Sequence, residues 1–262
     1  MAARSRWTQV FAAVFAVLAL AVAGSGYVLS GGHGVQDFAR TAVSLIQLVV
    51  LLVPVTALLL GVLTLAGDRG STELLFAQPV SRGRILVGRM TGLWLALASA
   101  EAIGFGASGL LIFARTDAEG LAGFVCVALG ALALTGVFVG IAAVLAVGSG
   151  VRRSRALALA LVTWFALVVV FDIGALGIAS LLPSGAASRV LIVSALINPV
   201  DAVRTGALLA SQGTAAFGTA SLALLRFTNG PTGVASAVAA SVVAWILLPV
   251  CGAVWRLKRA DL

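Results

Sequence analysis

The sequence predicts an all-α integral membrane protein with six transmembrane helices, a cytoplasmic docking helix after the second, and an extracytoplasmic helical hairpin before the last. Apolar residues make up 61% of the chain and charged residues only 10%, a balance typical of proteins that lipid surrounds. Six apolar stretches reach the roughly 20 residues that a helix needs to cross a bilayer. They are residues 7–30, 41–66, 90–113, 121–147, 156–182 and 234–255. Because they leave little room for a soluble domain, we expect one transmembrane domain over residues 1–262.

The distribution of basic residues predicts which loops face the cytoplasm. If the loops alternate between sides, the 17 Lys and Arg residues divide into twelve on the side of the N-terminus and five on the other side. The twelve are Arg4, Arg6, Arg69, Arg82, Arg84, Arg89, Arg152, Arg153, Arg155, Arg256, Lys258 and Arg259, and the five are Arg40, Arg115, Arg189, Arg204 and Arg226. Cytoplasmic loops carry the excess of Lys and Arg, so both termini are predicted to lie in the cytoplasm. The net charge of +8 then flanks membrane spans, and nucleic-acid binding is not expected.

The loop before the third predicted span, within residues 73–92, has the pattern of a docking element. Gln78 precedes Pro79 and is pushed out of helical geometry, so the apolar run before it must end its helix there. Ser81 can cap the helix that follows. Basic residues then occupy the first turns of that helix, where it enters the membrane. They are Arg82, Arg84 and Arg89.

Two glycine pairs have the GxxxG spacing that lets transmembrane helices approach closely. They are Gly88 with Gly92 and Gly136 with Gly140. In a chain with 30 glycines the same spacing also arises by chance, so a packing role and an accidental pair are both open.

The outer segment 183–233 is far longer than a connector needs, so we predict that it is structured. Its residues 189–197 are too few to span a bilayer and too apolar to stay in water, which favours a position at the interface. Asn198 then has the character of a helix N-cap, with Pro199 at the first helical position and Asp201 at the third. A second short helix is predicted from there to about residue 209.

Two carboxylates lie inside predicted spans, Glu101 in the third and Asp172 in the fifth. The spans offer neither of them a Lys or Arg partner. A charge at the bilayer centre costs about 2.5 to 3.5 kcal/mol on insertion scales, so each carboxyl is expected to be protonated or to face a polar cavity. We therefore predict that Glu101 and Asp172 line a translocation pathway, and the alternative is a simple hydrogen bond to a neighbouring helix.

The residues that catalysis or cofactor binding would need are not assembled in this sequence. His33 is its only histidine, and the two cysteines, Cys126 and Cys251, lie in different predicted spans. No protease, hydrolase or zinc-site pattern can be built from them. The sequence has one lysine, Lys258, and no GxxxxGK[ST], so ATP must be bound by another subunit. We expect neither an enzyme, nor a metal site, nor a cofactor.

Three segments carry a family resemblance that covers nearly the whole chain: ELLFAQPVSRGRILVGRMTG at 73–92, TWFALVVVFD at 163–172 and INPVDAVR at 197–204. Their order and sides resemble the permease subunits of type-2 ABC exporters, and within them the NosY-like branch. The resemblance implies that the first segment is the cytoplasmic coupling helix, which fits a groove on the ATPase. Its central residues would be Gln78, Pro79, Val80, Ser81, Arg82 and Gly83. The third segment would belong to the extracytoplasmic hairpin, with Asn198, Pro199, Asp201 and Arg204.

The resemblance also implies partners and a function. The permease would pair with a second copy or a close relative, bind two ABC ATPase subunits, and lie in the lipid of the cell membrane. An extracytoplasmic partner and a role in maturing a copper enzyme, nitrous-oxide reductase, are implied for the NosY-like branch. The rivals are a drug or lipid exporter of the same architecture and a proton-coupled secondary carrier that uses the two buried carboxylates.

Overall fold

The computed structural model describes residues 6–29, 38–66, 81–113, 120–147, 152–216 and 219–259. Every regular element within these ranges is helical, as predicted. We number the helices α1 (Arg6–Leu29), α2 (Phe38–Leu65), α3 (Arg82–Phe113), α4 (Leu121–Ala146), α5 (Arg153–Ser180), α6 (Ser184–Ile197), α7 (Pro199–Gln212), α8 (Thr219–Phe227) and α9 (Pro231–Arg259). Helix α5 contains one π-helical turn, Ala166–Val170, and a 3-10 turn, Gly213–Ala216, follows α7.

Among the described residues, five helices are long and apolar enough to cross a membrane, and they correspond to the second to sixth predicted spans. They are Thr41–Leu65, Arg82–Phe113, Leu121–Ala146, Arg153–Ser180 and Pro231–Arg259. The pair α6 and α7 would pass the same test as one segment, but a bend of 103° separates its halves. Helix α1 has 24 residues, and its apolar part Gln9–Gly24 is shorter than the other candidates. The protein is therefore a multi-pass helical membrane protein, while the count of six spans stays a prediction.

Helix α4 is the centre of the bundle and packs against α2, α3, α7 and α9. Glycines allow these helices to approach closely. A Cβ added to Gly61 of α2 would overlap Ala142 of α4. A Cβ added to Gly140 of α4 would lie 3.3 Å from Cβ of Pro249 in α9. The Gly136 and Gly140 pair thus has the packing role that its spacing allows. A Cβ on Gly88 or Gly92 would meet nothing within 4 Å among the described residues.

Helix α1 is held on the other side of the bundle by a row of aromatic rings. The ring of Phe15 in α1 lies 5.4 Å from that of Phe105 in α3, which lies 5.8 Å from that of Phe124 in α4. Both contacts are edge-to-face, a favoured geometry for aromatic pairs. They leave α5 and α9 at the periphery of the single chain, where about half of their apolar side chains are exposed.

Candidate functional site

The corner between α6 and α7 is built as its sequence predicts. Asn198 has an extended backbone, with φ −79° and ψ 124°, because the following Pro199 disfavours helical geometry. Its Oδ1 accepts a hydrogen bond of 3.0 Å from the backbone N of Val200, so it caps α7, and Pro199 occupies the first helical position. This local chemistry ends α6 and starts α7 in a new direction, which confirms the predicted cap.

The same Asn198 joins the corner to helix α5. Its Nδ2 donates a hydrogen bond of 2.7 Å to the carbonyl oxygen of Leu167, which lies in the π-helical turn Ala166–Val170. A π turn changes the spacing of the backbone bonds and is often found at functional positions. On the opposite side of the corner, Trp245 of α9 donates from Nε1 to the carbonyl oxygen of Ile197 at 2.7 Å. The corner is therefore bonded to two long helices.

Arg204 of α7 binds both carboxylates of this region. Its Nη1 lies 2.8 Å from Oδ2 of Asp172 in α5 and 3.0 Å from Oδ1 of Asp201 in α7. Side-chain exposures of 26% for Arg204, 32% for Asp172 and 10% for Asp201 place the group at the edge of the protein interior. We call Asp172, Asn198, Asp201 and Arg204 the outer cluster. Charge-assisted hydrogen bonds of this kind are about twice as strong as neutral ones.

The outer cluster corrects one inference from the sequence. The expectation that Asp172 lacks a basic partner is wrong, because Arg204 reaches it from the outer segment. The sharp bend before α7 turns this helix back onto α5, so residues from a predicted extracytoplasmic hairpin meet a predicted span. The sequence does not predict the contacts of Leu167 and Trp245. Leu167 acts through its backbone carbonyl, and Trp245 is one of many large residues in an apolar helix, so neither has a sequence pattern that indicates its hydrogen bond.

Glu101 lies elsewhere, enclosed between α3 and α4. Its side chain is fully buried, and its Oε1 accepts a hydrogen bond from the hydroxyl of Thr135 in α4. Its Oε2 has no hydrogen-bond partner among the described residues. The two carboxylates that the sequence predicts for the pathway therefore have different neighbours: Glu101 contacts α4 and Asp172 contacts α7.

The predicted coupling segment is described only in part. Gln78, Pro79 and Val80 lie outside the described residues. Ser81 stands directly before α3, and its hydroxyl accepts from Nε of Arg84 at 3.1 Å. A Cβ added to Gly83 would lie 3.3 Å from Cγ1 of Val254, so the first turn of α3 packs against the last turns of α9. Arg82 begins α3 and is exposed.

Arginine side chains cap the helices that end beside this segment. Arg89 of α3 donates to the carbonyl oxygen of Thr64, and Arg153 of α5 donates to that of Leu63 at 3.3 Å, both in the last turn of α2. At the end of α4, the carbonyl oxygen of Val144 accepts from Nη1 of Arg256 in α9 at 2.6 Å. Each bond satisfies a carbonyl that has no partner within its helix and places a cation at the negative end of the helix dipole.

We call this region, where α2 and α4 end, α3 and α5 begin and α9 ends, the basic end. It brings together basic residues that lie far apart in the sequence. All of these basic residues belong to the twelve that are predicted to face the cytoplasm. The exposed residues Arg82, Arg84, Arg152, Arg155 and Lys258 surround the capped helix ends. The sequence predicted the charge excess but not its bonds to helix ends.

The architecture and the two polar regions can be compared with known proteins. The family model described as ABC-2 family transporter protein matches residues 1–262, the full length of the chain. The chain belongs to the ABC-2 transporter family. It is 36% identical over 208 residues to a probable ABC transporter permease protein NosY of Stutzerimonas stutzeri, with 77% of this chain and 75% of that protein covered. It is 34% identical over 226 residues to the protein of the same name from Pseudomonas aeruginosa, with 84% and 82% covered.

These matches confirm the resemblance to NosY-like permeases that the three segments carry. As a member of this ABC-2 family, the chain is a permease subunit of an ABC transporter and a multi-pass membrane protein. ABC permeases in general work as dimeric assemblies with ATPase subunits. The family model covers the basic end and the outer cluster alike, so both regions belong to the part of the chain that matches the ABC-2 family.

Proposed function

We propose that this chain is the membrane subunit of an ATP-driven exporter in the cell membrane, with six spans and both termini in the cytoplasm. The proposal rests on the structure of the basic end and on the membership of the chain in a permease family. There the start of α3, which includes Arg82 and Gly83 of the predicted coupling segment, lies beside helix ends that arginines have capped. Such a surface can receive force from a soluble subunit and pass it to several helices.

The bonds of the basic end support a specific coupling step. Movement of residues 78–83 by the ATPase would be transmitted through α3 to α9 by the Gly83 contact with Val254. It would reach α2 through the bond from Arg89 to Thr64, and Arg153 ties α5 to the same end of α2. We infer that ATP-dependent closure of the ATPase dimer moves these helix ends as one body and reorients the spans by alternating access.

The outer cluster supports a proposal for how the same movement reaches the extracytoplasmic hairpin. Helix α5 is bonded to the outer corner by Asn198 and to α7 by Arg204, so reorientation of α5 would displace the α6 and α7 hairpin. We propose that Asp172 faces the translocation pathway, since its side chain is partly exposed. Glu101 is proposed to join the pathway when α3 and α4 separate. The hairpin with Asn198, Pro199, Asp201 and Arg204 is proposed to bind an extracytoplasmic partner.

A second permease copy is proposed to cover the peripheral face of α5. Large apolar side chains are exposed along both halves of this helix. They include Leu161, Val162, Phe165, Ile173 and Leu176. Lipid can cover such a surface, but a dimer interface there would also place the partly exposed Asp172 of each copy near the other. We therefore propose a homodimer with the pathway at the permease interface.

The cargo is proposed from the NosY-like resemblance alone: the transporter would serve the maturation of nitrous-oxide reductase, a copper enzyme. A strain that lacks this permease should then produce the reductase without its full copper absorption spectrum, and the wild-type gene should restore it. A normal spectrum in the deletion strain would favour the alternative, an exporter of drugs or lipids.

Coupling is tested by reversing charge at the basic end. Arg82→Glu should reduce the amount of ATPase subunit that co-purifies with the permease, because a docking surface depends on charge complementarity. Arg189→Glu is the matched control, since Arg189 is also exposed but lies in α6. Membrane insertion should be normal for both variants. Equal recovery of the ATPase with both would place docking away from the start of α3.

A further inference from the structure

An apolar cavity lies between α4, α7 and α9, apart from both polar regions. Its volume is about 550 Å³, and its lining includes Cys126, Gly130, Val203, Gly206 and Val238. Of the side chains that line it, only those of Cys126 and Thr214 carry a polar atom. This size falls within the range of about 300 to 1,000 Å³ that small-molecule sites have.

The cavity has fixed walls. A Cβ added to Gly130 of α4 would lie 2.6 Å from Cγ1 of Val203 in α7, and one added to Gly206 of α7 would lie 3.4 Å from Cγ1 of Val238 in α9. The three helices are therefore in direct contact beside the cavity at two places. Loose packing of one helix would not leave such contacts, so the space between them is part of the fold.

The chemistry of the walls selects the occupant. The cavity is partly open, since Leu129, Ala235 and Ala239 of its lining are exposed, and its walls offer water almost none of the two to four polar partners that it needs. The helices that form the walls include two candidate membrane spans, α4 and α9, so the apolar molecules in contact with them are lipids. An acyl chain that enters the cavity fills space that would otherwise be empty and gains van der Waals contacts with the walls.

The position of the cavity adds a site for the lipid headgroup. It lies along the first half of α4 and of α9, as far as Ala133 and Val242, away from the basic end, where Arg256 of α9 bonds the last turn of α4. Leu225 of α8 lines it, and the next residue, Arg226, is exposed in the last turn of that helix. A guanidinium at this point can bind a phosphate.

We propose that this cavity binds one acyl chain of a membrane phospholipid, with the lipid phosphate at Arg226. The bound lipid fills the space between the outer parts of α4, α7 and α9 and supports the hairpin from below. The inference does not depend on ATP-driven transport, because it requires only that the chain lies in a membrane.

Photolabelling with a lipid tests the site in the full-length permease. The probe is phosphatidylglycerol with a diazirine near the end of one acyl chain, in lipid nanodiscs, and the labelled peptides are mapped by mass spectrometry. Segments 126–133, 203–214 and 234–242 should be labelled more strongly than α3, whose exposed residues Ile103 and Leu110 serve as the internal reference for lipid at the protein surface. Arg226→Gln should lower this excess.

A matched pair of substitutions separates the cavity from the surface. Ala239 and the adjacent Ala240 are both exposed on α9, but only Ala239 lines the cavity. Ala239→Phe should reduce labelling of the cavity walls to the level of the exposed face of α3, and Ala240→Phe should leave it unchanged. Equal wall labelling in both variants, or wild-type labelling no stronger than that of α3, would mean surface lipid only and would overturn the proposal.

The thiol of Cys126 gives a second readout that needs no change in the cavity. In a Cys251→Ser background, alkylation of Cys126 by N-ethylmaleimide should be fast in a steroid-based detergent, which offers no acyl chain. It should slow when phosphatidylglycerol is added. Alkylation at the same rate with and without the lipid would contradict an acyl chain beside Cys126.

Discussion

Arg204→Met tests whether one guanidinium holds α5 and α7 together. Methionine keeps an unbranched side chain of similar length but removes the charge and both hydrogen bonds, those to Asp172 at 2.8 Å and Asp201 at 3.0 Å. The two carboxylates are then left facing each other without a cation. Arg189→Met is the control, because Arg189 is exposed on α6 and surface substitutions usually change stability by less than about 0.5 kcal/mol.

The expected size of the effect follows from the contacts. Hydrogen bonds to charged groups contribute about 1.5 to 3 kcal/mol each, and removal of one partner from a buried ion pair costs about 3 to 5 kcal/mol. Exposures of 26% for Arg204 and 32% for Asp172 allow water to screen the pair and reduce these values. We therefore expect Arg204→Met to cost about 2 to 4 kcal/mol, which corresponds to a fall of roughly 5 to 15 °C in the apparent unfolding midpoint.

The decisive comparison is a double-mutant cycle with Asp172→Asn. In the wild-type background this change weakens the contact with Arg204, so the unfolding midpoint should fall. In the Arg204→Met background it removes one of two uncompensated carboxylates, so the midpoint should rise. Heating the purified proteins and measuring the fraction that remains monodisperse gives all four midpoints. If Asp172→Asn lowered the midpoint equally in both backgrounds, the shared guanidinium would be refuted.

The remaining predictions concern topology, the corner and the buried glutamate. In a background without native cysteines, Ser154→Cys and Ser188→Cys should react with an impermeant thiol reagent from opposite faces of the membrane, and labelling of both from outside intact cells would contradict the six-span topology. Asn198→Ala should lower stability by about 2 kcal/mol through loss of the cap and of the bond to Leu167, while Asn198→Ser, which keeps a capping oxygen, should lose roughly half as much in the same thermal assay. Glu101→Gln should slow transport in reconstituted vesicles without lowering the unfolding midpoint, and unchanged transport would remove Glu101 from the pathway.

What the sequence predicts well is local. The start of α7 follows from three adjacent residues, since Asn198 can cap a helix, Pro199 prefers its first position and the residue before a proline avoids helical geometry. The second to sixth predicted spans follow from apolar length alone. Both inferences need no knowledge of distant parts of the chain, and the structure agrees with both.

What the sequence does not predict depends on how distant segments meet. The bond between Arg204 and Asp172 joins positions 32 residues apart, and only the 103° bend at the corner brings them together. The two glycine pairs make the same point, because Gly136 and Gly140 face α9 whereas Gly88 and Gly92 meet nothing within 4 Å in the described chain. Identical spacing therefore has different consequences, which are set by the neighbouring helix.

We propose that ATP binding at the cytoplasmic side moves the outer hairpin. The most direct test is the distance between two spin labels at Ser188→Cys, one in each permease of the complex with its ATPase subunits, in a background without native cysteines. The distance distribution should shift when ATP is bound and return when nucleotide is removed, and Arg82→Glu should abolish the shift. The same distribution with and without ATP in the intact wild-type complex would contradict it.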